Sequence, residues 1–475
     1  MRFHSLEFAI FLPIVFSLYW LITPRRRRTQ NLLLLGASYV FYGWWDWRFL
    51  SLIVISSAVD YLTGILLAKS QRPGTRTRLL LLSLSVNLGI LGFFKYWNFF
   101  AESFAQAFSL LGVHAHPQTL RLILPVGISF YTFQTLSYTI DVFRRKIEPT
   151  KDIVAFFAFV AFFPQLVAGP IERARNLLPQ FKEKRSFDYE LARDGLRQIV
   201  WGLFKKVVVA DTCAAYVDEV FPNYTSHSSL ALVLATFYFA IQIYCDFSGY
   251  SDIAIGTAKL FGFRLMQNFR YPYFARDIAE FWRRWHISLS TWFRDYLYIP
   301  LGGNRVGRLK TIRNILVTFL VSGFWHGANL TFLAWGALHA LYYLPLALTQ
   351  NHRRHMGVTA EGRTFPAGGE SLKMALTFLL TTFAWIFFRA ESLSHAFSFI
   401  ERILSFQFTP IDRSAFHYLP LVALLMVWDW LQRGRQHGLK IDGFPVPLRW
   451  GLYSALCWSV LALSKGGQTF IYFQF

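Results

Sequence analysis

Ser322-Gly323-Phe324-Trp325-His326-Gly327-Ala328-Asn329 joins two apolar runs, 312–326 and 328–349. A membrane span needs roughly 17–25 mostly apolar residues. The second run is long enough to cross and the first is short, so its end is expected inside the bilayer. A histidine flanked by Gly323 and Gly327 then sits at membrane depth. Ionisable groups there are costly and point to function. A neutral imidazole is the least costly general base to keep in such a place, because its ordinary pKa of about 6.5 falls further on burial. Flanking glycines let a substrate or a backbone come close. The competing reading is a histidine bridging two helices. His339, in the following run, reads as structural.

Further apolar runs extend from end to end: 6–23, 31–47, 48–69, 79–100, 121–140, 196–221, 229–249, 372–389, 417–433 and 448–464. Of 475 residues 54% are hydrophobic, 19% aromatic and only 16% charged, against about 25% charged in a soluble chain. This excludes a set of soluble domains and predicts an all-α polytopic membrane protein of about 11–13 spans. The run 6–23 is followed by Arg25-Arg26-Arg27-Arg28 and reads as an uncleaved first span. The run 152–170 is also long enough, but basic residues flank both sides, and Pro164 with Gly169-Pro170 predicts a break. It is expected to re-enter or to lie in the interface.

Formal net charge is +21, gathered in short loops between the runs. The positive-inside rule accounts for that without nucleic acid, and places 25–28, 70–78, 144–151, 173–193, 264–313 and 351–373 on the cytoplasmic side. Both termini then face outward. The polar stretch 351–371 reads as a flexible loop. The three cysteines lie in or beside apolar runs, which gives neither a disulfide framework nor a metal site.

Three other segments carry chemistry. From Phe281 to Tyr296, Trp282, Trp285, His286, Leu289, Trp292, Phe293 and Tyr296 recur at helical spacing opposite Arg283, Arg284, Ser288, Thr291, Arg294 and Asp295. The pattern predicts one amphipathic interfacial helix. His286 on its apolar stripe is either a core residue or a site residue. Gln242 and Asp246 share a helix face, and Asp252 follows. Carboxylates there need partners, which the nearby arginines are expected to supply, though cation ligation or a proton relay are alternatives. Between Arg264 and Arg313 stand ten Lys or Arg and three acidic residues. Such a segment attracts a polyphosphate, and positive-inside bias explains it equally.

These motifs resemble the membrane-bound O-acyltransferases, and within them the bacterial group of the alginate O-acetyltransferase membrane component. The resemblance runs from Asn31 to the last residue, through 125–133, Ile140-Asp141-Val142-Phe143-Arg144, Phe163-Pro164, 246–256, 280–298, Leu301-Gly302-Gly303-Asn304-Arg305 and Trp325-His326-Gly327-Ala328-Asn329. The 280–305 and 325–329 motifs are the most specific. The resemblance implies one acyltransferase domain over 1–475, a helical ring around a central tunnel, with a core over about 121–349, peripheral spans over 6–100 and 372–464, and an aromatic tail, 469–475. It also implies that His326 is the catalytic histidine and His286 the second active-site histidine. It implies acetyl-CoA as donor, with no bound cofactor and no metal. Further implications are an extracytoplasmic esterase-like acetyltransferase partner, a polysaccharide acceptor (alginate, cellulose-like glucan or peptidoglycan), and a place in the bacterial inner membrane.

In the expected chemistry His326 deprotonates an acceptor hydroxyl. His286 or the Gly327 N–H meets the oxyanion. Arg305 and Arg308 hold the polyphosphate. The tail Thr469-Phe470-Ile471-Tyr472-Phe473-Gln474-Phe475 reads by composition as an interfacial anchor. By resemblance it is an acyl relay in which Tyr472 accepts the acetyl group. The rival functions are a D-alanyl transferase of the teichoic-acid type, with a carrier-protein thioester as donor, and a transporter of an anionic solute.

Overall fold

The computed structural model describes residues 1–22, 26–109, 112, 119–120, 122–167, 169–407, 413–463 and 470. The described residues form helices and no strand. Six helical stretches are long and apolar enough to cross a membrane: Arg27–Lys69, Pro73–Ser109, Ser229–Leu260, Leu330–Leu348, Gly368–Arg389 and Val446–Leu463. The chain is an all-α, multi-pass membrane protein. It divides into two compact units, residues 1–195 with 254–266, and residues 196–253 with 267–475. The stretch 121–349 contributes to both.

The first unit holds α1 (Leu6–Leu21), α2 (Arg27–Asp46), α3 (Leu50–Lys69), α4 (Pro73–Leu91), α5 (Trp97–Ser109), α6 (Ile128–Phe143), α7 (Ile153–Ala161), α8 (Phe163–Leu166), α9 (Ala174–Lys182) and the start of α10 (Tyr189–Leu203). The runs 31–47 and 48–69 part at Asp46, whose backbone turns extended (φ −161°) while its carboxylate accepts from the Arg48 N–H at 3.0 Å. The break expected in 152–170 is present. Helix α7 ends after nine residues, about 14 Å and too short to cross. Phe162 then turns the chain, and Pro164 sits in the first turn of α8, where its missing N–H costs no helical hydrogen bond. Helices α3, α4 and α6 are tied by a buried polar knot. Asp60 accepts from Ser83, from Asn87 Nδ2 at 2.9 Å and from Thr139 Oγ1 at 2.8 Å. Paired this way, a carboxylate is tolerable inside a span.

The second unit holds α11 (Asp211–Val220), most of α12 (Ser229–Leu260), α13 (Ile278–Arg284), α14 (Ile287–Phe293), α15 (Arg308–His326), α16 (Leu330–Leu348), α17 (Gly368–Arg389), α18 (Leu393–Leu404), α19 (Leu419–Gln432) and α20 (Val446–Leu463). Helices α15 and α16 form an antiparallel hairpin in near-backbone contact. A Cβ on Gly323 would collide with the carbonyl of Phe332, and one on Gly336 with the carbonyl of Phe319. Small residues replace the hydrophobic drive that helices lack in lipid. Gly336→Ala is therefore expected to destabilise by about 1–3 kcal/mol through overpacking. The readout is a lower melting temperature of the detergent-solubilised protein, and an unchanged one would refute the packing argument.

Two expectations are corrected. The segment 281–296 is not one interfacial helix. It breaks between α13 and α14 at His286, which adopts a left-handed backbone (φ 42°, ψ 54°). Part of its polar side is buried too: Arg284 pairs with Glu280 at 2.6 Å and Ser288 bonds to Asn268, while Arg294 stays exposed. The loop after α16 is clamped rather than loose. Arg283 donates to the carbonyls of His352 (2.6 Å) and His355 (2.7 Å), Arg284 to that of Gly357 (3.1 Å), and Arg433 to those of Thr359 (2.8 Å) and Ala360 (3.0 Å).

Candidate active site

His326 is the last residue of α15, and Gly327 follows in extended conformation (φ −164°). A Cβ at Gly327 would strike the Phe332 ring, so only glycine lets the turn lie flat against it. Asn329 then caps α16, accepting from the Thr331 N–H at 3.0 Å. The imidazole of His326 is 4% exposed. Around it stand Trp325, Trp335 and Phe388, with ring centroids at 4.9, 5.1 and 5.3 Å.

His286 is fully buried. Phe247 of α12 meets its ring edge-on at 4.5 Å and Phe269 stacks at 6.3 Å. Trp325 lies 6.1 Å from the His286 ring and is the direct neighbour of His326. The two histidines brought forward by the sequence are thus joined through one indole. On its other side His286 meets Asn268. Asn268 Oδ1 lies 3.1 Å from His286 Nδ1 and accepts from Ser288 N (3.2 Å) and Ser288 Oγ (2.9 Å). Asn268 Nδ2 donates to Ser251 Oγ at 3.1 Å, and its carbonyl accepts from Ile287 N at 2.9 Å. These bonds offset the strain of a left-handed histidine. Burial lowers the pKa of the His286 imidazole and so favours its neutral form.

His339 stands one turn beyond Trp335 on α16, against Trp335 (4.8 Å) and Trp282 (4.9 Å). It is packed in aromatic rings, in keeping with a structural role.

Asp246 and Asp252 do find partners, and these are lysines, not arginines. A π-helical stretch, Phe204–Ala210, follows α10. Its Lys206 holds Asp246 and Asp211 at 2.7 Å each, and its Lys205 holds Asp252 at 2.6 Å and Ser248 Oγ at 2.8 Å. Gly202 and Gly249 let the two backbones touch there, each Cβ position lying 2.6–2.7 Å from the other's carbonyl oxygen. The carboxylates are structural ion pairs, placing Phe247 against His286.

Arg305 and Arg308 are exposed at the start of α15. Arg308 and His326 are the two ends of that helix, roughly 27 Å apart along its axis. The structure does not gather the arginines with the histidines. Tyr472 lies outside the described residues. Phe470 is described, fully buried, 4.3 Å from the Tyr250 ring and 5.9 Å from Phe247. Asn268, Ser251 and the lysine pair escaped the sequence reading. Two charged residues within the apolar run 196–221 were the signal that could have found Lys205 and Lys206.

The described helices form a multi-pass protein in which two buried histidines, one of them at a glycine break, stand on either side of one tryptophan. The model of the membrane-bound O-acyltransferase family matches residues 39–388, and the chain belongs to that family; it is an acyltransferase. It is 42% identical to a probable alginate O-acetylase of Pseudomonas aeruginosa over 423 residues, 88% of this chain and 78% of that one. It is 38% identical to a peptidoglycan O-acetyltransferase of Helicobacter pylori over 415 residues, 81% and 76% of the two chains. A teichoic acid D-alanyltransferase of Streptococcus thermophilus is 28% identical over 264 residues, 52% and 63%.

Proposed function

We propose that this chain takes an acetyl group from cytoplasmic acetyl-CoA and passes it across the bacterial inner membrane for O-acetylation of an extracytoplasmic polysaccharide. The observation that carries the reading is the pair of buried histidines bridged by Trp325. The relatives' names add the acetyl group and a polysaccharide acceptor. His326 accepts the proton of an acceptor hydroxyl as its oxygen attacks the thioester carbonyl. The tetrahedral intermediate then expels the thiolate. The C–S bond breaks, the proton passes from His326 to sulfur, and the products are an ester and free coenzyme A. The oxyanion formed on the way needs a hydrogen-bond donor, from the Gly327 N–H or His286. The apolar rings exclude water and strengthen each of these interactions. In this reading the helices form a ring around a tunnel that carries the acyl group. Tyr472 is the first acceptor, and an esterase-like acetyltransferase outside completes the transfer.

Arg305 and Arg308, at the far end of α15 from His326, suit the coenzyme A polyphosphate, whose long arm delivers the thioester inward. The test uses membranes supplied with labelled acetyl-CoA, with a D-alanyl carrier-protein thioester in parallel. Label is expected in the polymer from the first donor alone. Neutralising Arg305 or Arg308 is expected to raise KM for acetyl-CoA and flatten its salt dependence, with kcat little changed. Transfer from the carrier thioester instead would make the chain a D-alanyl transferase. Unchanged KM with failed insertion would leave the arginines to topology.

A further inference from the structure

We infer that Asn268 is a positioning residue that fixes His286 with its proton on Nδ1, so that Nε2 keeps its lone pair as a hydrogen-bond acceptor and His286 is not the donor to the oxyanion. The inference rests on the acyl-transfer reading of the site and deepens it.

The hydrogen-bond pattern carries the argument. The Ser288 backbone N–H, 3.2 Å from the Asn268 amide, can only donate. The amide atom it meets is therefore the oxygen, and the opposite amide nitrogen donates to Ser251 Oγ at 3.1 Å. That settles the amide orientation from the hydrogen-bond network. The same oxygen lies 3.1 Å from His286 Nδ1. Two lone pairs facing each other at that distance repel, whereas an N–H between them bonds. Ser288 Oγ stands farther from Nδ1, at 3.4 Å, and bonds to the Asn268 oxygen at 2.9 Å. A neutral imidazole carries one proton. With that proton on Nδ1, Nε2 keeps its lone pair. Such a nitrogen accepts from an N–H or O–H group of the substrate and cannot stabilise an oxyanion. The Gly327 N–H remains as the oxyanion donor of the proposed chemistry.

Phe247 of α12, Phe269 and Trp325 of α15 present rings to His286. On α12 the neighbouring Asp246 is paired with Lys206, and Tyr250 turns toward Phe470. His326 is the titratable group across Trp325. Burial is the single cause of the shift at His286.

Asn268→Asp is the test. The variant keeps the shape and the acceptor oxygen but adds a negative charge beside Nδ1–H. That charge favours the imidazolium and raises the pKa of His286. Below the raised pKa Nε2 is protonated and can no longer accept. The expected result is a kcat/KM profile with an acid limb at higher pH than in the wild type, activity falling as pH falls. If His286 instead donates from Nε2, protonation helps, and the variant gains activity on the acid side. A gain there, or a profile superposable on the wild type, overturns the assignment. Should the Asp variant fail to accumulate in membranes, Asn268→Ala decides. It is expected to lower kcat by about 10–100-fold, the usual loss when an orienting partner goes, with KM for acetyl-CoA held. A rise in KM with kcat retained overturns the assignment. Wild-type and His326→Ala membranes run alongside. An inactive wild type overturns the acyl-transfer reading and this one with it. An active wild type with a limb-free Asp variant overturns only the role of Asn268.

Discussion

Replacing His326 by alanine is expected to lower acetyl transfer by about 10²–10⁴-fold, the usual loss on removing a positioned general base. At about 1.36 kcal/mol per tenfold, that is roughly 3–5 kcal/mol of transition-state stabilisation. The reasoning begins with cost. A histidine 4% exposed among Trp325, Trp335 and Phe388 adds no apolar packing that a phenylalanine would not supply better. The hairpin must also keep Gly327 beside it to bring the chain flat against Phe332. The measurement is labelled acetyl incorporated per unit of inserted protein, with a melting curve to register damage to the hairpin. A large loss of transfer with a modest fall in melting temperature is the expected pattern. Near-normal transfer at normal protein level would remove His326 from the chemistry.

The bilayer made much of this fold legible. It sets the length of every span, so apolar runs of the right size marked α2, α3, α16, α17 and α20 to within a few residues, whereas α4 begins earlier and α12 runs on well past its apolar run. Basic residues on both flanks of 152–170, with Pro164 and Gly169-Pro170 inside it, made the break readable, and α7 indeed ends after nine residues. Periodicity failed at His286. The stripe from Trp282 to Phe293 stays in register across a left-handed residue, and burial of Arg284 and Ser288 on the opposite side blurs the contrast that an amphipathic pattern depends on. Tertiary partners were legible only as needs. Asp246 and Asp252 announced that they required cations, yet nothing local pointed to Lys206 and Lys205 on another helix. Asn268 lacked even that signal. An isolated asparagine between helices is ordinary in sequence, and its meaning comes from the imidazole that the fold lays against it. His326 was legible because an ionisable side chain at membrane depth is costly, and the flanking glycines marked a break beside it.

Tyr472→Phe is expected to abolish polymer acetylation while leaving membrane insertion intact. A tail of four aromatics in six residues fits an interfacial anchor as readily as a relay. Phe470 weighs on the relay side. It is fully buried, 4.3 Å from Tyr250 and 5.9 Å from Phe247, the ring that covers His286 at 4.5 Å. An anchor would leave it at the lipid headgroups. A phenol, with a pKa of about 10, is more acidic than a sugar hydroxyl, and its acetyl ester is correspondingly a better donor to the next acceptor. His326 would then take its proton from Tyr472, and the sugar would be acetylated outside by the partner. The Phe variant keeps the ring and its packing and removes only the oxygen, so an anchor tolerates it and a relay does not. The readout is labelled acetyl in the polymer, with the protein itself examined for label. Wild-type protein is expected to carry acetyl on Tyr472 when the external acceptor is withheld, and the variant to carry none. Full polymer acetylation by Tyr472→Phe would end the relay reading and leave the tail as packing.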